Sequence, residues 1–275
     1  NEQLILRSEE GKRYIRTLLK EGRAIQFETE VRHRDGGIIW VSINARVVKD
    51  SEGNILGYEG TTEDITERKE AERNLEVSAD KLRKSLIGTI EVISMMLEMR
   101  DPYTAGHQRR VSGLARSIAQ ELGLQGDVID SIRIAGNIHD IGKMSVPAEI
   151  LVKPGRLSEI EMELMKAHPR TGYDILKVVD LPAPTAEIVL QHHERLDGSG
   201  YPQGLKGEEI LLEAQIMAVA DVVEAMASHR PYRPSRGLEA ALEEIEKNRG
   251  ILYHNDVVDV CLSLFRENGF SFEQT

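Results

Sequence analysis

The spacing of apolar residues changes once along the chain, at Thr66, and this change constrains the fold more than any other feature. Before it, apolar and polar residues alternate over residues 25–33 and 38–48, and a third segment of this kind covers residues 55–65. Alternation with a period of two is typical of β-strands with one buried face. After Thr66 the apolar residues recur every three or four positions, which indicates helices. We therefore expect an α+β protein overall, with a small N-terminal antiparallel β-sheet joined by a long helix to an all-α domain.

Length and charge narrow the class of protein. The chain has 275 residues, enough for one large domain or two modest ones, and a net charge of −11. Proteins that bind nucleic-acid polymers usually carry a basic surface, so that class is disfavoured. A small anionic ligand stays compatible with this charge, provided that metals or a few cations concentrate positive charge locally.

The chain shows no sign of export or membrane insertion. Its longest unbroken apolar run, residues 216–220, is too short to span a bilayer. No signal-peptide pattern opens the sequence, and the single cysteine, Cys261, excludes a disulfide within the chain. We therefore expect a cytoplasmic protein with no membrane segment.

The helix predicted for residues 67–98 has apolar positions that repeat at alternating spacings of four and three. These positions are Leu75, Ala79, Leu82, Leu86, Thr89, Ile93 and Met96. Such a heptad pattern over about three repeats predicts a parallel coiled coil, and hence a homodimer through this helix. The alternative is an amphipathic helix packed on its own domain, because Ala79 and Thr89 weaken the seam. The expected domains are residues 1–66, 67–98 and 99–275.

Histidines and aspartates with apolar neighbours are concentrated in the helical part. Asp140 lies between His139 and Ile141, and Asp221 lies within a run of valine and alanine. A buried carboxylate without a partner is very costly, and a divalent cation bound by imidazole and carboxylate ligands removes that cost. Five of the eight histidines fall in the same part of the chain: His107, His139, His168, His192 and His193. This pattern predicts a metal site.

Asp140 is the candidate for a ligand shared by two metals, since a carboxylate has two oxygens. Two metals about 4 Å apart are a common device for hydrolysing phosphate esters. Lys143 follows Asp140 by three residues and so lies on the same helical face, where it could offset charge on a phosphoryl oxygen. The alternative for Lys143 is a solvent-facing lysine. Asp140 and Lys143 are therefore the predicted catalytic residues.

The motifs of the helical part strongly resemble the HD-domain phosphohydrolase superfamily, and within it the HD-GYP family. Residues 139–143 read His-Asp-Ile-Gly-Lys, and residues 192–202 contain His-His-Glu and end in Gly-Tyr-Pro. Residues 101–107, 168–172 and 230–233 also match, and the resemblance covers about residues 85–270. It implies a metal-dependent phosphodiesterase of cyclic dinucleotides, chiefly cyclic di-GMP, which it converts to linear pGpG and often to GMP.

The resemblance also implies which residues bind metal. One metal would take His107, His139, Asp140 and Asp221, and the other would take Asp140, His168, His192 and His193. Iron or manganese is typical of the family, although the ligand types do not distinguish these from zinc or nickel. Some members have an additional glutamate on the opening helix that helps to hold a third metal. Here the residue one turn before His107 is Tyr103, a poor ligand, and Glu98 is nine residues away, so we expect two metals.

Candidate substrate contacts lie in two loops and on Lys143. Gly200 and Pro202 flank Tyr201, which could stack on a base, as aromatic side chains do with nucleobases. Arg230 and Arg233 can form charge-assisted hydrogen bonds to a phosphate or a guanine edge. The alternatives are a tight structural turn with Tyr201 packed on its own domain, and two solvated arginines. Where the family often has a second aspartate after the last ligand, this chain has Glu224, and the role of Arg110 is left open.

The strands before Thr66 resemble the C-terminal half of a PAS domain with its PAC segment. The resemblance covers about residues 22–72. The residues that match are Phe27-Glu28, residues 34–36, Trp40-Val41, residues 53–57 and residues 64–68. PAS domains sense ligands or transmit signals to an attached domain, so the resemblance implies a sensor-linked enzyme. The N-terminal half of a PAS domain is not recognisable, and His33 is read as a surface residue of a strand.

Two other functions remain open on the sequence alone. One is an HD-type hydrolase of a different nucleotide, either cyclic GMP-AMP or a nucleoside mono- or triphosphate. The other is a non-catalytic module that binds cyclic di-GMP in signalling. The second predicts missing metal ligands, whereas all seven are present here.

Overall fold

The computed structural model describes residues 5–6, 8–33, 36–100, 106–153, 155–228 and 236–272. The chain divides into two compact units, Asn1–Ser85 and Leu86–Thr275. The boundary falls inside one long helix, within the segment predicted to link two domains. The first unit contains the β-sheet and the second is helical, which confirms the predicted α+β organisation.

The first unit contains a four-stranded antiparallel sheet, one short helix of its own and the beginning of the long helix that crosses the boundary. Its elements are β1 (Ile5–Leu6), α1 (Ser8–Glu21), β2 (Arg23–Arg32), β3 (Ile38–Lys49) and β4 (Ile55–Asp64). The strands pair in chain order, β1-β2-β3-β4, and the three longer ones cover the three segments with alternating polarity. Asp50 holds the turn between β3 and β4, because its carboxylate accepts hydrogen bonds from the N–H groups of Glu52 and Asn54 at 2.9 and 2.8 Å.

Helix α1 is not foreseen by the sequence analysis, which predicts only strands before Thr66. Its apolar residues Tyr14 and Leu18 lie one helical turn apart, so the local pattern did contain a helix signal in this segment. Leu18 is buried, and the ring centroid of Tyr14 lies 5.1 Å from that of Phe27 on β2. A sheet face of Val31, Val41 and Ile43 forms the small core of this unit.

The long helix α2 (Thr66–Arg100) covers the segment predicted as helical. Near its end Ile90 and Ile93 pack against the core of the second unit, and Leu97 is buried there. The earlier seam positions differ: 73% of Leu75 and 63% of Leu82 are exposed. Packing on the helical unit therefore explains the apolar residues only in the last three turns of α2.

The helical unit contains nine further α-helices among the described residues. They are α3 (His107–Glu121), α4 (Gly126–Ile138), α5 (Ala148–Leu151), α6 (Glu159–Lys166), α7 (His168–Leu176), α8 (Thr185–Gln191), α9 (Leu212–Ala227), α10 (Leu238–Lys247) and α11 (Asn255–Arg266). Two short 3-10 helices cover Ile141–Ser145 and Gly207–Glu209. Among the described helices none combines the length and the apolar character needed to cross a membrane.

The core of the helical unit lies among α3, α4, α8 and α9. Its largest fully buried side chains include Leu114 and Ile118 on α3, Ile132 on α4, and Ile188 on α8. Burial of such a side chain stabilises the fold by about 1.5–3 kcal/mol. These four helices carry or directly precede most of the predicted metal ligands, so the same packing that forms the core also positions the site.

Candidate metal centre

Three of the predicted ligand histidines lie at helix ends, where each bonds to the backbone carbonyl three residues earlier. His139 directly follows α4, His192 directly follows α8, and His168 is the first residue of α7. Their ring Nδ1 atoms lie 2.9, 2.7 and 2.8 Å from these carbonyl oxygens. A hydrogen bond donated by Nδ1–H fixes the tautomer and presents the Nε2 lone pair to a metal.

Burial keeps three of these histidines, His168, His192 and His193, in the neutral form, which is the form that binds metals. Loss of hydration is the main cause: it lowers the pKa of His168 to about 4 and that of His193 to about 3. Burial likewise lowers the pKa of His192 well below its ordinary value. At pH 7 a metal therefore does not compete with a proton at these three residues.

The ligand atoms form two neighbouring groups with Asp140 between them. One group is His107, His139 and Asp221, and the other is His168, His192 and His193. Within each group the candidate ligand atoms all lie within 4.8 Å of one another.

Asp140 directs one oxygen toward each group. Its Oδ1 lies 3.5 Å from Nε2 of His168, and its Oδ2 lies 3.6 Å from Nε2 of His139. The structure thus brings all seven predicted ligands together, and it places the one shared residue where it can reach two cations. This donor set of imidazoles and carboxylates suits a pair of divalent transition metals.

Both aspartates stay ionised although they are buried. Burial would raise the pKa of Asp140, but the charged groups around it, Lys143 above all, together outweigh burial and hold this pKa well below the usual value. Burial would also raise the pKa of Asp221, but the hydrogen bond with His107, the charge of that ring and smaller contributions from nearby groups together hold it well below the usual value. The centre therefore offers two carboxylates for which bound cations would be the natural counter-charge.

His107 differs from the other histidines because it lies between two carboxylates. Its Nε2 lies 3.3 Å from Oδ1 of Asp221, and its Nδ1 contacts Oε2 of the fully buried Glu224. Burial tends to lower the pKa of His107, but its hydrogen bonds with Asp221 and Glu224 outweigh this and raise the pKa to about 9. A metal at this position would replace the proton on Nε2, while Glu224 would hold the ring from the other side.

Arg110 completes this arrangement from the next turn of α3. Its Nε donates to Oε1 of Glu224 at 2.7 Å, and Ser228 donates its hydroxyl to the same oxygen at 2.5 Å. The sequence analysis left Arg110 open and read Glu224 as a longer acid in place of an aspartate. The structure shows that Arg110 is the counter-charge of the buried Glu224, a role that local sequence pattern does not indicate.

Lys143 contacts the candidate bridging ligand directly. Its Nζ lies 2.8 Å from Oδ2 of Asp140, across one turn of the 3-10 helix. Gly142 lets this helix approach α7, because a Cβ there would lie 1.9 Å from the carbonyl oxygen of His168. Glycine at this position is thus a condition for bringing Asp140 and His168 together.

The Gly-Tyr-Pro loop is held by a buried carboxylate that the sequence analysis did not single out. Glu194 is 2% exposed and accepts hydrogen bonds from the backbone N–H groups of Gln203 and Leu205, at 2.7 and 3.1 Å. Gly200 packs against the same segment, where a Cβ would lie 2.5 Å from Cα of Glu194. Glu194 directly follows two ligands, but nothing in its local pattern distinguishes it from a solvated acid.

Tyr201 lies over the candidate ligands. Its ring centroid is 4.7 Å from that of His193 and 6.5 Å from that of His168. Burial raises the pKa of Tyr201, so the hydroxyl is neutral at ordinary pH. One face of the ring thus packs within its own domain, and its predicted stacking on a base stays a prediction.

Some sequence-predicted residues lie outside the described part of the chain. These are Tyr103, Arg230 and Arg233. Glu98, which the sequence places too far from His107 to serve as a third-metal ligand, accepts a hydrogen bond from the backbone N–H of Gly106 at 2.8 Å.

Comparison with known proteins agrees with the family resemblances expected for both parts of the chain. The family profile described as HD domain matches residues 91–257, and the one described as PAS fold matches residues 9–62. A cyclic di-GMP phosphodiesterase of Thermotoga maritima is 45% identical over 184 residues, which are 66% of this chain and 50% of the relative. The cyclic di-GMP phosphodiesterase response regulator RpfG of Xanthomonas campestris is 38% identical over 223 residues, which are 80% of this chain and 59% of the relative.

The chain thus spans about half the length of these curated relatives. Among solved structures, a cyclic GMP-AMP specific phosphodiesterase of Vibrio cholerae aligns with a TM-score of 0.53 at 18% identity. That alignment covers 65% of this chain and 48% of the other, and it shows a shared fold.

Proposed function

This chain belongs to the HD-domain family, and on that premise we propose that it is a metal-dependent phosphodiesterase of cyclic dinucleotides. The observation that carries the proposal is the pair of histidine groups on either side of Asp140. A binding module needs no such centre, whereas hydrolysis of a phosphodiester by two metals does.

Two divalent metals, iron or manganese, would occupy the centre. We assign His107, His139, Asp140 and Asp221 to one, and Asp140, His168, His192 and His193 to the other. The fit rests on the neutral buried imidazoles and on the position of Asp140. When bound, such a pair lowers the pKa of a shared water and polarises the phosphoryl oxygens.

The protein's own residues would orient the phosphate and shield the reaction from bulk water. Lys143 lies next to Asp140 and carries a positive charge that would offset charge developing on a phosphoryl oxygen. Tyr201 would cover the His193 side of the centre, and Glu194 would keep the loop of Gly200 and Pro202 in place. Arg230 and Arg233 are assigned to the second phosphate or a guanine edge.

Cyclic di-GMP is the proposed substrate, with pGpG and then GMP as products. The two relatives described above are named for cyclic di-GMP, and they support this choice. Cyclic GMP-AMP is the second candidate, since the structural neighbour is named for it. Both substrates present the same scissile group, so the choice between them depends on base contacts.

We further propose that α2 forms a parallel homodimer and links a PAS-type sensor segment to the enzyme. Exposed apolar side chains of the seam support this: Leu75, Leu82 and Leu86 are 73%, 63% and 57% exposed. Leucines at heptad spacing gain stability when a second helix covers them.

The test combines metal analysis with turnover. Purified protein is loaded with Mn²⁺ or Fe²⁺, its bound metal is measured, and its turnover of cyclic di-GMP and of cyclic GMP-AMP is followed by chromatography of the products. We expect two metals per chain and faster hydrolysis of cyclic di-GMP. Two bound metals without hydrolysis of either compound would instead support the binding module, and faster turnover of cyclic GMP-AMP would reverse the substrate choice.

A further inference from the structure

The last turns of α2 make polar contacts with two segments of the helical unit. Glu98 accepts a hydrogen bond from the backbone N–H of Gly106 at 2.8 Å, and Arg100 donates from Nη2 to the backbone carbonyl of Val146 at 3.0 Å. Both side chains are partly buried, and each bond joins a charged side chain to a backbone group. Bonds of this kind are stronger than those between neutral groups, so they hold the two segments firmly.

Glu98 holds the start of α3, whose first residue is the candidate ligand His107. Gly106 is the N-cap of this helix, with a φ of 69°, and it has no side chain to cap the helix itself. One turn earlier on α2, Ser94 donates its hydroxyl to Oε1 of Gln108. The residues before and after His107 are therefore both bound by α2. The Glu98 carboxylate also lies at the end of α3 where the helix dipole is positive, which favours its charge.

Arg100 holds the far end of the 3-10 helix that follows Asp140. The N–H of Val146 donates to the carbonyl of Lys143 at 3.0 Å, and the N–H of Lys143 donates to the carbonyl of Asp140 at 2.9 Å. Arg100 binds the carbonyl of Val146 and so fixes the last link of this chain of hydrogen bonds. Its charge thereby helps to set the backbone from which Asp140 reaches both groups of ligands.

We propose that Glu98 and Arg100 are positioning residues of the metal centre. Glu98 would set His107, which is assigned to one cation, and Arg100 would set Asp140, which is assigned to both. This role rests on the proposed two-metal phosphodiesterase. Both residues act through the backbone beside a ligand, and such supporting contacts affect how tightly a metal is bound. The connection between α2 and the centre is thus made by these two side chains.

The test replaces each residue by methionine, which keeps an extended apolar side chain but removes the acceptor of Glu98 or the donors of Arg100. Calorimetric titration of Mn²⁺ into the metal-free whole chain measures both sites. Glu98→Met should weaken one site about 10-fold and Arg100→Met should weaken both about 10-fold, the low end for loss of a residue that orients a ligand. When Mn²⁺ is below the weakened dissociation constant, kcat for cyclic di-GMP should fall while KM stays the same, and excess Mn²⁺ should restore kcat.

Conservative and control variants separate positioning from packing. Glu98→Gln keeps an acceptor and Arg100→Lys keeps a donor, so both should recover most of the affinity. Glu91→Met and Arg73→Met make the same changes at exposed positions of α2 and should leave both sites unaffected. If a methionine variant does not fold, Glu98→Gln still tests the proposal, because loss of the charge should weaken one site by about 3-fold.

Several results would overturn the assignment. Equal weakening of both sites by Glu98→Met would show that its effect does not pass through His107, and unchanged affinity in Arg100→Met would show that Asp140 does not depend on it. A lower free energy of unfolding with unchanged Mn²⁺ affinity would give both residues a packing role only. Failure of the phosphodiesterase proposal shows separately: the wild-type protein would then bind two Mn²⁺ ions but hydrolyse neither cyclic dinucleotide.

Discussion

Replacing Glu224 tests whether this buried carboxylate orients His107 for a metal. Glu224→Gln keeps the shape and one acceptor oxygen for Nδ1–H, but it removes the negative charge that Arg110 contacts at 2.7 Å. Glu224→Leu removes both the acceptor oxygen and the negative charge. Because Glu224 contacts one histidine of one ligand group, only the metal that uses His107 should be affected.

The expected magnitudes follow from these contacts. Loss of a residue that orients a metal ligand typically weakens metal affinity by about 10- to 100-fold, or about 1.4–2.7 kcal/mol. Glu224→Gln should fall near the lower value, because an acceptor remains, and Glu224→Leu near the upper one. Each change also leaves Arg110 without its counter-charge. Since 24% of the Arg110 side chain is exposed, we expect a loss of about 3 kcal/mol in stability, the low end for a broken buried pair.

Calorimetric titration of Mn²⁺ into metal-free protein measures the two sites separately, and denaturant unfolding measures stability. Glu213→Gln is the matched control, since it makes the same change on α9 at a partly exposed position. The reasoning is refuted if both sites weaken equally, or if Glu224→Leu binds two metals as tightly as the wild type.

Four further predictions concern other parts of the chain. Asp140→Ala should abolish turnover and lower bound metal, because it removes the ligand assigned to both cations; full metal occupancy with retained activity in elemental analysis and turnover assays would contradict the assignment. Changing Leu82 and Leu86 to Asp should convert dimers to monomers by placing charges in the seam, and an unchanged mass in sedimentation would rule out the coiled coil. The pKa of Glu161 is lowered to about 2, chiefly by its hydrogen bond with Lys153, so its contribution to stability is present above pH 4.5 and is lost as the pH falls through 2. In urea unfolding, Glu161→Gln should therefore have a lower free energy of unfolding than the wild type at pH 7, and this difference should shrink as the pH falls from 4.5 to 2; a difference that grows would contradict the prediction. Burial raises the pKa of the Cys261 thiol to about 12, so the folded protein should resist a maleimide at pH 8 and the unfolded protein should react; equal rates would show that the thiol is accessible.

The sequence by itself determined the features that depend on near neighbours. The change of apolar period at Thr66 predicted the sheet and the long helix, because each period follows from local backbone geometry. It also identified the seven candidate ligands, since histidines and aspartates among apolar residues are costly without a cation. Helix α1 was not predicted, although Tyr14 and Leu18 recur at helical spacing and the local pattern was therefore sufficient to indicate it.

Tertiary structure alone decided how those residues work together. Glu224 lies 117 positions from His107 and Asp140 lies 28 from His168, yet helix packing brings each pair into contact. The same packing removes water, and this loss of hydration is what keeps His168, His192 and His193 neutral. Burial and long-range contact depend on the folded chain as a whole. The orientation of His107 by Glu224, and the hydrogen bonds by which Glu194 holds the loop of Gly200 and Pro202, therefore follow only from the tertiary structure.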